Sequence, residues 1–379
     1  MKKKLTALFL IVSMVISMAA CGSGGSDGEN STEISSELTF DHSMELKYAR
    51  EFSVDYYQDG FALLTIAKDG RYLVVPEGKT APEDLKDDIV VLQKPLDHIY
   101  LAASAVMDMF LKMDALDTIR FSALKQNSWY IGEIRQVMEQ GDILYAGSYS
   151  APDYEKILAE QCSLAIENTM IYHTPEVKEQ LTKFGIPVLV DYSSYESEPL
   201  GRTEWVRLYG LLTDREEAAD AAFEEQVKAF EEISEAEPSG KTVAFFYITS
   251  NGEVNVRSSS DYLPTMIEMA GGSYVFDHVG DEDSATSTVS LPMEEFYVGA
   301  KDADYVVYNS TIDGELSSID DLLAKSSLLS NLKAVQEGNV YCTTKNLYQS
   351  SMELGTIISD LHKMMAGDDS SLTYLYRLE

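Results

Sequence analysis

Nine side chains fall at predicted strand ends or at the start of a predicted helical segment: Trp129, Tyr130, Tyr149, Tyr172, Arg202, Trp205, Tyr247, Arg257 and Tyr262. Their chemistry is that of a ligand site. Aromatic faces suit flat ring systems, and guanidinium groups suit carboxylates and other anions. Trp129, Tyr149, Arg202 and Arg257 are the leading candidates. With 23 tyrosines in the chain, any single aromatic also fits a core or surface position.

Other chemistries have less support. The histidines are His42, His98, His173, His278 and His362. A zinc or manganese site would have to draw His98, His173 and His278 together with Asp261, a geometry the spacing does not supply. The GxSxG match at Gly24–Gly28 lies in a glycine-rich stretch that does not follow a strand, so it is no nucleophile elbow, and no phosphate-loop motif or HExxH occurs. Cys162 and Cys342 stand 180 residues apart in apolar runs without a CxxC or Cys/His pattern, and are expected as buried free thiols. No cofactor is implied.

The elements that position these residues begin with an export signal. Lys2, Lys3 and Lys4 precede an apolar run from Leu5 to Met18 and the small pair Ala19 and Ala20, the layout of a secretory signal peptide over residues 1–20. That run is too short to span a bilayer comfortably. Met18-Ala19-Ala20-Cys21 resembles the bacterial lipobox, although leucine is commoner where Met18 stands. Cys21 is thus the expected lipidation site and new N-terminus. Residues 21–40, rich in Gly, Ser, Asp and Asn, read as a flexible tether. The chain carries a formal charge of −34, which becomes −37 when the three signal-peptide lysines are removed. Such acidity repels phosphate backbones and argues against nucleic acid as a partner.

The remaining residues are enough for about two domains. Leu46–Val75 shows short strands with hairpin signals at Asp59-Gly60 and Asp69-Gly70. From Ile89 to Val190 strands alternate with helices, which predicts a mostly parallel sheet covered on both faces. Arg202–Glu237 holds no strand-like run; Ala219, Phe223, Val227, Phe230 and Ile233 recur at helical spacing, and Thr213 with Glu216 could cap a restart. Strand and helix alternation resumes after Pro238-Ser239-Gly240. The expected α/β architecture is an N-terminal lobe (41–198), a connecting helix (199–238) and a C-terminal lobe (239–379). A surface adhesin or structural lipoprotein would show repeats or a β-sandwich rhythm, and the alternation disfavours both.

That organisation resembles the substrate-binding lipoproteins of ATP-driven importers for iron-siderophores, haem and cobalamin, the helical-backbone, type 2 periplasmic binding proteins. Tyr154-Glu155-Lys156-Ile157-Leu158 before Ser163-Leu164-Ala165-Ile166 is similar to a family helix start followed by a strand, with Cys162-Ser163 in place of Pro-Asp. Met293-Glu294-Glu295-Phe296 before Ala303-Asp304-Tyr305-Val306-Val307 repeats the theme, with a spacing that leaves Glu294 and Glu295 unseparated. Met269-Ala270-Gly271-Gly272 and the stretch from Leu332 to Tyr341 also resemble family signatures. The resemblance spans about residues 90–365 and implies two Rossmann-like lobes joined by a long backbone helix, with the ligand cleft between them.

It further implies that Glu155 on one lobe, and Glu294 or Glu295 on the other, dock onto arginines of a permease, two separated charge pairs that favour orientation and encounter rate. Either glutamate equally suits the first turn of a helix. The expected partners are therefore a permease and its ATPase, a small-molecule chelate or tetrapyrrole ligand, and the membrane through the lipid anchor. The expected product is a monomeric receptor, not an enzyme, on the extracytoplasmic face of the cell membrane. A zinc or manganese receptor is the runner-up.

Overall fold

The structure, a computed structural model, describes residues 34–234, 238–280 and 287–379. The expected signal peptide and Cys21 lie outside the described residues. Among the described residues no helix is long and apolar enough to cross a membrane.

The chain first builds a separate five-stranded sheet: β1 (Phe40–Ser43), β2 (Phe52–Tyr57), β3 (Ala62–Ile66), β4 (Gly70–Val75) and β5 (Ile89–Gln93), in chain order. Only the last pair is parallel. Both expected hairpins form, and Asp59 and Gly60 take the positive φ that such a tight turn requires (64° and 84°). Strand alternation gives the sheet two apolar faces. Tyr72 and Val74 join the main core, while Leu73 and Val75 join a satellite cluster with Tyr57, Phe61, Leu63, Ile89 and Ile34. The tether expected to reach residue 40 is therefore shorter. Ile34 is buried in the satellite cluster, and Ser35 and Ser36 hydrogen-bond the Asp84 carboxylate.

The N-terminal lobe follows with β6 (Ile99–Leu101), α1 (Val106–Lys112), β7 (Ile119–Ser122), α2 (Gly132–Gln140), β8 (Leu144–Tyr145), the ribbon β9 (Gly147–Ser148) and β10 (Ala151–Pro152), α3 (Tyr154–Ala159), β11 (Ala165–Asn168), α4 (Pro175–Lys183) and β12 (Val188–Asp191). Its five parallel strands run β12-β11-β6-β7-β8. Helices on both faces explain why β6 and β12 are buried along their whole length. Local chemistry sets the helix ends. Gly141 closes α2 in the left-handed region, the Asp153 carboxylate accepts from the Lys156 N–H to start α3, and Pro175 opens α4.

The connecting segment is helical but is two helices rather than one: α5 (Pro199–Thr213) and α6 (Glu216–Ser234). They meet at Asp214, which adopts left-handed φ/ψ and ends α5. The expected Thr213 cap does not form; its hydroxyl donates back to the Tyr209 carbonyl at 2.8 Å, within α5. Gly210 allows the elbow to close, since a Cβ there would press on Ala219. Arg207 spans it to Asp220 (2.7 Å).

The C-terminal lobe comprises β13 (Thr242–Ile248), β14 (Val254–Arg257), α7 (Tyr262–Met269), β15 (Ser273–Tyr274), β16 (Thr288–Leu291), α8 (Met293–Ala300), β17 (Tyr305–Tyr308), α9 (Ser310–Asp313), α10 (Ile319–Lys325), α11 (Lys333–Glu337), β18 (Val340–Thr343), α12 (Leu354–Ala366) and β19 (Leu375–Arg377). Its seven-stranded sheet has the order β16-β14-β13-β17-β18-β19, with β15 paired to β13. Cys162 and Cys342 are buried and free, as expected.

The first sheet is fastened to α5 by two buried carboxylates. Glu204 accepts the backbone N–H groups of Lys47, Tyr48 and Ala49 (3.0, 2.8 and 2.8 Å). Glu196 accepts those of Arg50 and Glu51, and the Trp205 indole N–H (each 3.0 Å). Five successive amides thus find side-chain acceptors in place of a ladder partner, around the buried Ala49. Lys94 adds an ion pair to Asp214 at the elbow (2.6 Å).

Candidate ligand cleft

The carboxyl ends of the parallel strands in the two lobes face each other. Segments leaving β6, β7 and β12 in one lobe touch segments that leave β18 or begin α7 in the other. Ser351 Oγ donates to the Ala105 carbonyl (2.6 Å), the Tyr130 N–H donates to Gln349 Oε1 (2.8 Å), and Arg202 lies over the Tyr262 ring at 3.8 Å. A crevice outside the carboxyl ends of such strands is where α/β folds bind ligands.

The inner wall is built from arginine and tyrosine. Arg202, in the first turn of α5, donates to the Ser194 carbonyl (2.9 Å) just beyond β12. It forms no salt bridge among the described residues, although its charge helps to offset the burial that raises the Asp191 carboxyl. Asp191 is held by the Tyr209 hydroxyl (2.6 Å) and by Ser193 (2.7 Å). Opposite, Arg257 at the end of β14 is committed. Its Nε and Nη2 grip both oxygens of Asp261, the N-cap of α7, and its Nη1 donates to the Tyr348 hydroxyl (3.3 Å). Burial opposes the Arg257 charge, and Tyr348 and Asp261 more than offset it, so the guanidinium stays protonated. Tyr348 also accepts from Asn309 Nδ2 (3.0 Å). Its own hydroxyl proton has no acceptor among the described residues. Burial raises the pKa of Tyr262, Tyr247 and Tyr348, so all three are neutral phenols at physiological pH.

The structure therefore brings together Arg202, Arg257, Tyr262 and, on β13 within the field of Arg257, Tyr247. Tyr130 stands at the mouth, 45% exposed, with Lys345 Nζ 5.5 Å from its ring centre. Tyr149 lies in the β9–β10 turn, half-buried against the N-terminal core, on the same carboxyl edge.

The other three belong elsewhere. Trp129 is 1% exposed and donates its indole N–H to Ser122 Oγ (3.1 Å) inside the N-terminal core. Trp205 is fully buried, packed edge-on against Phe52 under the first sheet. Both indoles satisfy their one polar atom internally, so neither offers a ligand surface. Tyr172 is exposed but turned outward, donating to Asp69 at the β3–β4 hairpin (3.1 Å). The histidines do not converge. His98 bonds the Glu160 carbonyl, His278 pairs with Asp277, and among the described residues no cluster of three metal-ligating side chains exists. Tyr348, Asn309 and Gln349 are cleft residues that no sequence pattern marked; the Arg257–Asp261 pair could have been read from i,i+4 spacing at a helix start.

Residues 123–347, more than half of the chain, match the family model of the periplasmic binding protein. The chain belongs to that family. The match begins beyond the first sheet. Solved structures of the same fold cover nearly all of themselves but only about seven-tenths of this chain. A periplasmic haem-binding protein of Vibrio cholerae is 20% identical, with a TM-score of 0.56 over 69% of this chain and 97% of its own. A periplasmic binding protein of Veillonella parvula is 14% identical, with a TM-score of 0.58 over 72% and 92%. An uncharacterized lipoprotein of Methanocaldococcus jannaschii, MJ0878, is 24% identical across 95% of this chain and 92% of its own. A family of two-lobed binding proteins is thus established, and the mixed α/β fold agrees with it.

Glu155 and Glu294 occupy the same place in their helices. Each is the second helical residue, exposed, and followed two positions on by a buried apolar side chain, Ile157 and Phe296. Glu295 corresponds instead to Lys156.

Proposed function

We propose that this chain is a lipid-anchored, extracytoplasmic receptor of an ATP-driven importer, capturing a bulky anionic chelate or tetrapyrrole between its lobes. An iron-siderophore, haem or corrinoid offers the acceptor oxygens and flat rings that suit an arginine and tyrosine wall. The observation that carries the reading is the pairing of Arg202, which has no carboxylate partner among the described residues, with the ring of Tyr262 and with the Tyr348 hydroxyl, whose proton has no acceptor among them, at the lobe junction. An acceptor oxygen on a flat ligand satisfies both donors. Two solved neighbours, haem-binding proteins of Vibrio cholerae and Pseudomonas aeruginosa, support the ligand class. Two relatives from Methanocaldococcus jannaschii that carry the name lipoprotein support acylation at Cys21.

Delivery requires a permease, and Glu155 and Glu294 are the docking carboxylates in this reading. Their matching helical positions on separate lobes support it. The decisive experiment is to record the absorbance spectrum and mass of whatever copurifies, then titrate the stripped protein with ferric siderophores, haem and cobalamin. Arg202→Gln should weaken binding about tenfold or more, the cost of one charged hydrogen bond. Binding of zinc or manganese but none of these ligands would replace the reading. Charge reversal of Glu155 and Glu294 should abolish uptake and spare affinity, whereas lost affinity would sink the docking assignment.

A further inference from the structure

The segment Lys345–Glu353, between β18 and α12, touches both lobes and the cleft at once. It belongs to the C-terminal lobe, yet its polar groups reach the other. Gln349 accepts the Tyr130 N–H (2.8 Å) and donates to the Ser128 carbonyl (2.9 Å). The Met352 N–H donates to Asp108 Oδ2 (2.8 Å), Ser351 Oγ donates to the Ala105 carbonyl, and Glu353 pairs with Lys112. Between these anchors Tyr348 turns inward to Arg257 and Asn309.

We propose that this segment is a strap coupling cleft occupancy to the gap between the lobes, with Gln349 as a positioning residue for ligand capture. The inference rests on the reading that the ligand lies between the lobes. Tyr348 and Gln349 are adjacent, so a peptide shift that moves one hydroxyl toward a ligand also moves the amide that bridges Ser128 and Tyr130. Among the described residues two partners, Arg257 and Asn309, fix the inner end, and both bonds end on the same phenolic oxygen. A ligand acceptor that draws the Tyr348 proton inward tightens the inner end and, through the chain, the outer one. Gln349 suits this role because its amide both donates and accepts, reading two successive backbone groups of the 128–130 loop. At the α5–α6 elbow the ion pairs, Lys94 to Asp214 and Arg207 to Asp220, do not run from one lobe to the other. The strap is thus the polar element whose bonds can exchange as the gap changes.

The test needs no ligand. Hydrogen exchange of the Tyr130 and Met352 amides reports the two cross-lobe bonds directly. Gln349→Ala should speed exchange at Tyr130 about three- to tenfold, the change expected for losing one hydrogen bond. The informative variant is Tyr348→Phe, which removes an oxygen bonded only within the C-terminal lobe. It should speed both Tyr130 and Met352 by about threefold or more while the β13–β17 amides stay protected. If Tyr348→Phe leaves both cross-lobe amides unchanged, the coupling is absent. Equal acceleration of the β13–β17 amides would also overturn it, because the effect would then be general loosening. The readout is independent of ligand titration, so the strap can fail while capture stands, and hold if every ligand tried is wrong.

Discussion

Replacing Glu167 by glutamine should flatten part of the pH dependence of stability. Glu167 lies on β11 with no exposed surface, and neither of its carboxyl oxygens has a hydrogen-bond partner among the described residues. Burial alone pushes its pKa from 4.5 up to about 8, and the neighbouring phenols Tyr100 and Tyr154 feel its charge. A carboxyl without donors around it cannot hold a charge in that core, so the native protein keeps it protonated at neutral pH. The folded pKa is raised above the unfolded one. The native state therefore binds more protons between those two values, and stability falls as pH rises. The contribution is intact below about 4.5 and has been lost once pH passes about 8.

Linkage with those two pKa values gives a loss of about 2.5 kcal/mol between roughly pH 5.5 and roughly pH 7.5 from this group alone. The glutamine variant has the same shape and no titration, so every other ionisable group cancels in the comparison. Chemical denaturation of both proteins at the two pH values measures the difference. The variant should gain about 2.5 kcal/mol relative to the parent on going to the higher pH, and the gap should stop widening above about pH 8. Parallel stability profiles for the two proteins would refute the reasoning and mean that a partner or water holds Glu167 ionised.

Three further outcomes follow from the packing. Trp129→Phe should cost about 2 kcal/mol in denaturation, from lost volume and the Ser122 bond, and leave ligand affinity unchanged. Glu204→Ala should destabilise by about 3 kcal/mol and expose residues 44–51 to limited proteolysis, since three amides lose their acceptor. Gly147→Ala should cost more than ~1 kcal/mol by thermal melting, because φ is 84° there and a Cβ would meet the Ala151 carbonyl.

The lobes and their alternation were legible because hydrophobic periodicity and glycine punctuation act locally. The hairpins at Asp59-Gly60 and Asp69-Gly70 and the Gly141 stop carry their own conformational reason within two or three residues. The α5–α6 elbow was not legible. Its break depends on Asp214 accepting a left-handed conformation and on Lys94, far back in the chain, pairing with it. Nor was the packed start at Ile34, because a Ser-rich stretch reads as tether until Asp84 and the satellite cluster supply partners. The tryptophans misled for a related reason. A large aromatic at a strand end looks like a ligand platform, but whether its ring faces the cleft or the core depends on donors and acceptors such as Ser122 and Glu196.

The paired glutamates show how one structural fact can resolve a sequence ambiguity. Counting back from the strand that follows gives Glu295 the spacing Glu155 has to β11, because the stretch from the buried side chain to the strand is one residue longer before β17 than before β11. Counting from the buried side chain that pins each helix to its lobe does not depend on that loop. Ile157 and Phe296 both sit at the fourth helical position, and two residues earlier stand Glu155 and Glu294. A helix is oriented by what it buries, so the side chains that project alike from α3 and α8 are those at equal distance from the buried anchor. If docking uses one carboxylate per lobe, reversal at Glu294 should therefore impair uptake more than reversal at Glu295, and the opposite order would show that the anchor rule fails for α8.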